Sequence, residues 1–148
     1  MTYRVRRAWK HEIGECADLY CQFFPGIGRP SSESIWWVAA HGDEIAGFAS
    51  VKRYSGKSHP DSLFLSSAGV LAGHRGHGLH KRLIRARLRW AKREGITRVF
   101  TYTMPDNAHS IASLVACGFR IFVPEVPWFE DCAHCHYDGA LYWEKFLS

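Results

Sequence analysis

"GVLAGHRGHGLHKRLIRARLRWAKRE", residues 69–94, changes character halfway along. Four glycines and three histidines fall within its first twelve residues, and the stretch from Leu79 to Arg93 then holds no glycine and seven lysines or arginines. At about 100° per residue, Lys81, Arg82, Arg85, Arg89, Lys92 and Arg93 share one side of a helix. Leu79, Leu83, Ile84, Ala86, Leu88, Trp90 and Ala91 spread over the rest. This reads as a helix packed on a sheet, with one solvated basic face. Arg87 falls inside the apolar arc and is expected to snorkel towards water.

A glycine-rich turn in front of such a helix lets successive backbone N–H groups converge on one point. The helix start adds its own unpaired N–H groups and the positive end of its dipole. Together they suit a phosphate or pyrophosphate. Gly76 and Gly78 permit close backbone approach, and Arg75 adds a charge-assisted contact. Neither G-x-G-x-x-G nor G-x-x-x-x-G-K-[ST] occurs here, which sets aside the dinucleotide fingerprint and the P-loop.

Working outward, "SLFLSSAGVL" (62–71) before the turn reads as a mostly buried strand. "TRVFTYTM" (97–104) after the helix is rich in β-branched and aromatic residues and reads as the next strand. Towards the N-terminus, "TYRVRRA" (2–8) alternates as a strand. In residues 11–24, Ile13, Cys16, Ala17, Tyr20, Cys21 and Phe24 form the buried stripe of an amphipathic helix. "IWWVAA", the turn "HGDE" and "IAGFASVKRY" form a hairpin. Towards the C-terminus, Asn107 caps a short helix with Ile111, Leu114 and Val115 facing inward, and Gly118 ends it. "FRIFVPEVPWF" and "GALYWEKFL" read as two last strands. The order β-α-β-β-β-α-β-α-β-β describes one mixed α/β domain over residues 1–148.

Composition agrees with a globular chain. Of 148 residues, 47% are hydrophobic and 22% charged, with a formal net charge of +5. That charge suits an anionic ligand, and nucleic acid is a possible but not favoured partner. No apolar run approaches the roughly 20 residues needed to span a bilayer, and no apolar segment follows the basic N-terminus as in a secretory signal. Five irregularly spaced cysteines do not suggest a disulfide framework, so a cytoplasmic setting is expected.

Two blocks resemble one family. "VLAGHRGHGLHKRLI" is similar to the acyl-CoA-binding motif [QR]-x-x-G-x-[GA] of the GNAT N-acetyltransferases, with Arg75 at the first position and Gly78 at the second. His80 stands where that family prefers glycine or alanine. "NAHSIASLVACGF" (107–119) is similar to its N-x-x-[SA]-x-x-x-[YL]-x-x-x-G-F segment, in the family's order and at its spacing. The resemblance implies a mixed, mostly antiparallel sheet splayed between strands four and five, with acetyl-CoA as co-substrate and an amine-bearing acceptor. It implies backbone hydrogen bonds from Val70 and Leu71 to the pantetheine. Arg75, Gly76, His77, Gly78, Leu79, His80 and Lys81 would cradle the pyrophosphate, and Asn107 and Ser110 would line the other wall.

Many family members carry a glutamate base eleven residues before the [QR] position and a tyrosine acid seven after the asparagine. Here those positions hold Phe64 and Leu114. The expected reaction is direct attack by a neutral amine, with the proton leaving through water held by Ser66. Trp128, Phe129, Glu130 and Asp131 would receive a cationic acceptor. Cys132, His134, Cys135 and His136 crowd together but lack the second ligand pair a structural zinc site uses, so no metal is expected. The competing readings are a non-catalytic module of the same fold that holds CoA or nucleic acid, and an acyltransferase acting on a nucleic-acid-borne amine. A monomer or homodimer is expected.

Overall fold

The computed structural model describes residues 2–53, 61–124 and 139–148. Seven strands and three α-helices are found among them: β1 (Arg4–Arg7), α1 (Ile13–Phe23), β2 (Ile35–His41), β3 (Glu44–Arg53), β4 (Ser62–Val70), α2 (Leu79–Arg93), β5 (Arg98–Thr103), α3 (Ala108–Ala116), β6 (Arg120–Phe122) and β7 (Leu141–Phe146). They follow the expected order. The sheet runs β1-β2-β3-β4-β5-β7-β6. The β1–β2, β2–β3, β5–β7 and β6–β7 pairs are antiparallel, whereas β4 and β5 are parallel. Their ladder pairs Ser62 with Arg98, Leu63 with Val99 and Phe64 with Phe100. The Thr101 hydroxyl then donates to the Leu65 carbonyl at 2.7 Å. Beyond that point β4 runs on to Val70 and β5 to Thr103 with no further ladder pair among the described residues.

By internal packing the chain divides into two compact units, Met1–Lys52 with Ser66–Arg87, and Arg53–Leu65 with Leu88–Ser148. In the first, Cys16 and Leu19 of α1 pack with Trp36, Val38, Ile45 and Phe48 of β2 and β3. The buried stripe of α1 is rotated from the one the periodicity suggests. Ile13 is 43% exposed and Cys21 half-buried, while Leu19 is buried. The helix entry explains the rotation. Glu12 accepts two hydrogen bonds from Arg6 (2.7 and 3.0 Å) and one from the Trp9 N–H (2.8 Å), which clamps the preceding 3-10 turn Lys10–Glu12 to β1. α1 therefore starts at a fixed angle, with Cys16 and Leu19 turned inward.

In the second unit, β7 lies between β5 and β6. The buried Glu144 carboxylate accepts from Arg98 (2.7 and 3.1 Å) and from Arg120 (3.1 Å), tying all three strands together. Trp143 Nε1 donates to the Thr103 hydroxyl at 3.0 Å. In α3, Asn107 Oδ1 accepts from the Ser110 N–H at 3.3 Å, and Gly118, at φ 89°, turns the chain out of the helix. The inward face carries Ser113, Leu114 and Cys117. Val115, expected inside, is 57% exposed, because the arc centred on Leu114 and Cys117 leaves it on the far side. β6 stops at Phe122, short of the strand read from residues 119–129, and residues 125–138 lie outside the described residues.

Gly69, near the end of β4, shows how tightly that strand is packed. A Cβ built there would lie 2.6 Å from two Phe23 ring carbons and 2.8 Å from Phe48. Phe23 and Phe48 meet edge to face at 5.1 Å between centroids, so neither ring has an easy retreat. Gly69→Ala should destabilise the protein by about 1–3 kcal/mol, the usual cost of overpacking a core. A urea midpoint equal to wild type would show that this core gives way more readily than its geometry indicates.

Candidate functional site

The end of β4, the turn after it and the start of α2 belong to one unit and form one continuous feature. The Leu71 N–H donates to the Ala46 carbonyl on β3 (2.9 Å), and the His74 N–H to the Leu71 carbonyl (2.9 Å). This closes the 3-10 turn Ala72–His74. Arg75 is extended, and Gly76 and Gly78 follow at φ 85° and 70°. A side chain is rarely found at such angles. A Cβ at either glycine would meet no atom within 4 Å, so backbone conformation, not crowding within the chain, calls for glycine. The first helical bond of α2 runs from the Arg82 N–H to the Gly78 carbonyl (3.2 Å). At such a start the first amides project along the helix axis and attract anions.

Arg75 is exposed, and its Nε donates to the Val70 carbonyl at 3.1 Å. No hydrogen bond or ion pair from its two terminal nitrogens is found among the described residues. His77, Gly78 and Lys81 are exposed, His80 is half-buried and Leu79 is buried. The expected site residues Val70, Leu71 and Arg75 to Lys81 therefore lie along one continuous feature, and two of their polar groups are already engaged: the Leu71 N–H by Ala46 and the Val70 carbonyl by Arg75.

Ser66 sits farther back on β4. Its hydroxyl meets that of Ser50 on β3 at 2.7 Å; Ser50 is buried and Ser66 half-buried, so Ser66 is the member of the pair with a side open to water. Beneath it lies Arg87. Sequence periodicity predicts snorkelling; instead this side chain is 1% exposed. Its Nη1 donates to the carbonyls of Ser50 (2.9 Å) and Ser66 (3.3 Å), and its Nε to that of Leu83 (3.1 Å). Strand carbonyls supply the acceptors that water would otherwise provide, which permits burial. The other six cations of α2 are exposed along one face, as expected.

In the second unit, Phe64 stacks on Phe100 (5.2 Å between centroids, 8° between planes) and on Tyr102 (6.0 Å, 27°). Leu114 is buried in the core. Neither position offers a proton carrier. Tyr102, whose ring stacks beside Phe64, is a contact that reading the strand as a plain β-branched and aromatic run passes over. Asn107 spends its side-chain oxygen on capping α3, and Ser110 supplies the amide it caps. Cys16 is fully buried, and burial pushes its thiol up to about 12; Cys117 is also buried. Neither is placed as a nucleophile. Trp128, Phe129, Glu130 and Asp131, with Cys132, His134, Cys135 and His136, lie outside the described residues.

His74 is the residue whose place the sequence conceals. It is only 8% exposed, with both ring nitrogens bonded at 2.9 Å, one to Tyr3 and one to Glu44. Its partners stand 71 and 30 residues away, beyond the reach of local patterns. No cluster of histidine, cysteine and carboxylate suited to a metal ion occurs among the described residues, and none of their helices is long and apolar enough to cross a membrane.

Comparison with known proteins fits this geometry. The signature of the acetyltransferase (GNAT) family matches residues 3–119. N-acetyltransferase 8 of Rattus norvegicus is 27% identical over 149 residues, covering 93% of this chain and 64% of its own length. N-acetyltransferase 8B of the same organism is 27% identical over 139 residues, covering 86% of this chain and 60% of its own. The chain thus spans about three-fifths of the length of these curated relatives. Among solved structures, yncA from Salmonella typhimurium with its cofactor acetyl-CoA superposes with a TM-score of 0.77 at 16% identity, over 100% of this chain and 95% of that one. The ribosomal-protein-alanine N-acetyltransferase of Brucella melitensis gives 0.75 at 17% identity, over 97% and 99%. These two show the fold.

Arg87 yields a direct test of the polar centre under β4. Arg87→Met keeps the apolar stem but strips donors from the two strand carbonyls and from Leu83. The expected loss is about 2–4 kcal/mol, since unmade buried hydrogen bonds cost roughly 1–3 kcal/mol each and one acceptor lies within the helix. Urea denaturation measures it. An unchanged or more stable variant would place Arg87 among buried ions that hydrophobic replacement improves upon.

Proposed function

This chain belongs to the acetyltransferase (GNAT) family, and from that premise we propose that it is an acetyl-CoA-dependent N-acetyltransferase acting on a primary amine. The observation that carries the donor half is the turn between β4 and α2, where Gly76 and Gly78 adopt left-handed conformations directly before a helix start. Arg75 and the amides of residues 76–81 cradle the pyrophosphate. The end of β4 at Val70 and Leu71 aligns the pantetheine through groups other than the Leu71 N–H, which Ala46 already holds. Asn107 and Ser110 contribute from the start of α3. The names of the curated relatives support an amine acceptor.

Acetyl-CoA supplies the thioester whose carbonyl carbon the amine attacks. The C–N bond forms as the C–S bond breaks, CoA leaves as its thiolate, and the ammonium gives up a proton. With Phe64 and Leu114 where relatives of the family carry a base and an acid, that proton leaves through water held at the Ser50–Ser66 hydroxyl pair. Burial of the thiols at Cys16 and Cys117 favours direct transfer over an acyl-enzyme. Trp128, Phe129, Glu130 and Asp131, by their aromatic and carboxylate chemistry, are the groups assigned to the acceptor's ammonium form. The chain acts as a single domain, as monomer or homodimer, in the cytoplasm.

The same two apolar positions favour a second reading, a CoA-holding module without catalysis; the basic face of α2 extends that to a module, or an enzyme, that engages nucleic acid. Thiol release from acetyl-CoA over a panel of amines separates enzyme from module. Turnover is expected with at least one amine, and Cys117→Ala should retain it. Arg75→Glu should weaken CoA binding by about tenfold or more in calorimetry, through repulsion at the phosphates. Wild-type protein that ignores CoA and its thioesters would overturn the proposal.

A further inference from the structure

We infer that His74 is a positioning residue for the acyl-CoA turn, acting on donor binding and not on the chemical step. The inference rests on the reading that residues 75–81 hold the pyrophosphate. His74 is the last residue of the 3-10 turn Ala72–His74 and stands immediately before Arg75 and the two left-handed glycines. Glycine loses more conformational freedom on ordering than any other residue, so a turn built on Gly76 and Gly78 is costly to hold in one shape. Something rigid must fix its entry.

The imidazole provides that anchor. A carboxylate only accepts, so Nε2 carries the hydrogen and donates to Glu44 Oε1 at 2.9 Å. Nδ1 then accepts from the Tyr3 hydroxyl at 2.9 Å. In that tautomer the ring's one donor and one acceptor match its two partners. Glu44 opens β3, and the buried Tyr3 directly precedes β1, so both tethers lead into the sheet. Tyr3 reaches the far side of the turn as well. Its carbonyl accepts from Arg82 Nη2 at 3.2 Å, and its ring packs on that of His77 at 5.2 Å between centroids. His74 and Tyr3 therefore grip the turn before and after the glycines. With the entry fixed, the ligand does not have to order the loop as it binds.

Glutamine discriminates this role from mere space-filling. Its amide offers one acceptor and one donor, the same pair as the neutral ring, whereas alanine offers neither. His74→Ala should speed amide hydrogen exchange at residues 75–78 in the ligand-free protein. It should also weaken CoA binding and raise KM for acetyl-CoA by about tenfold, the equivalent of ordering roughly one more residue, with kcat within about twofold. His74→Gln should restore both readings to near wild type, and Tyr3→Phe should fall between. If His74→Ala is too unstable to measure, His74→Gln and Tyr3→Phe carry the comparison. Equal exchange and affinity in wild type and Tyr3→Phe or His74→Ala would overturn the inference, as would a glutamine variant no better than alanine, or a loss confined to kcat. Wild type that fails to bind CoA would overturn the functional reading instead, and ligand-free exchange would still decide whether His74 fixes the turn.

Discussion

Two neighbouring strands that run the same way impose the main constraint on this molecule. A parallel pair cannot be closed by a tight turn and needs a crossover, and between β4 and β5 that crossover is α2. The chain must therefore reverse at the end of β4 and enter a helix there. The reversal brings the helix start, with its projecting amides, next to the last residues of the strand. Gly76 and Gly78 make the reversal sterically possible. The proposed anion site uses what this topology already places there, and the ladder's early end at Phe64–Phe100 leaves the later backbone of β4 outside that pairing.

What holds the end of β4 in place is mostly polar. Arg87 spans carbonyls of β3 and β4, the hydroxyls of Ser50 and Ser66 pair above it, and the His74 ring ties the following turn to Tyr3 and Glu44. Apolar packing adds a close fit at Gly69, with Phe23 and Phe48 pressed against it. This rigidity suits the proposed reaction, which relies on alignment. Under that proposal, with Phe64 and Leu114 at the usual proton-carrier positions, the rate comes from holding amine and thioester in register and from a water path for the proton.

The architecture was legible because its signals are local. Glycines at special backbone angles marked the turn, the period of α2 separated a basic face from a buried one, and Asn107 and Gly118 marked both ends of α3. Misreadings arose where distant chain decides the outcome. Arg87 looked like a snorkelling residue because its acceptors come from strands 37 and 21 positions away. Val115 was placed inside because a nine-residue helix offers several plausible arcs, and only packing selects the one through Ser113, Leu114 and Cys117. Ile13 yielded its place to Leu19 because the Arg6–Glu12 clamp sets the entry angle of α1. His74 was hidden for the same reason as Arg87.

The central claim is that the turn from Arg75 to Lys81 recognises a pyrophosphate. Backbone amide shifts of the ¹⁵N-labelled protein test it most directly, by comparing titration with CoA against titration with pantetheine, which lacks the phosphates. CoA should shift the amides of Gly76 to Lys81 saturably, and pantetheine should leave them in place even at concentrations that perturb β4. Equal shifts with both ligands, or none with CoA, would contradict the account.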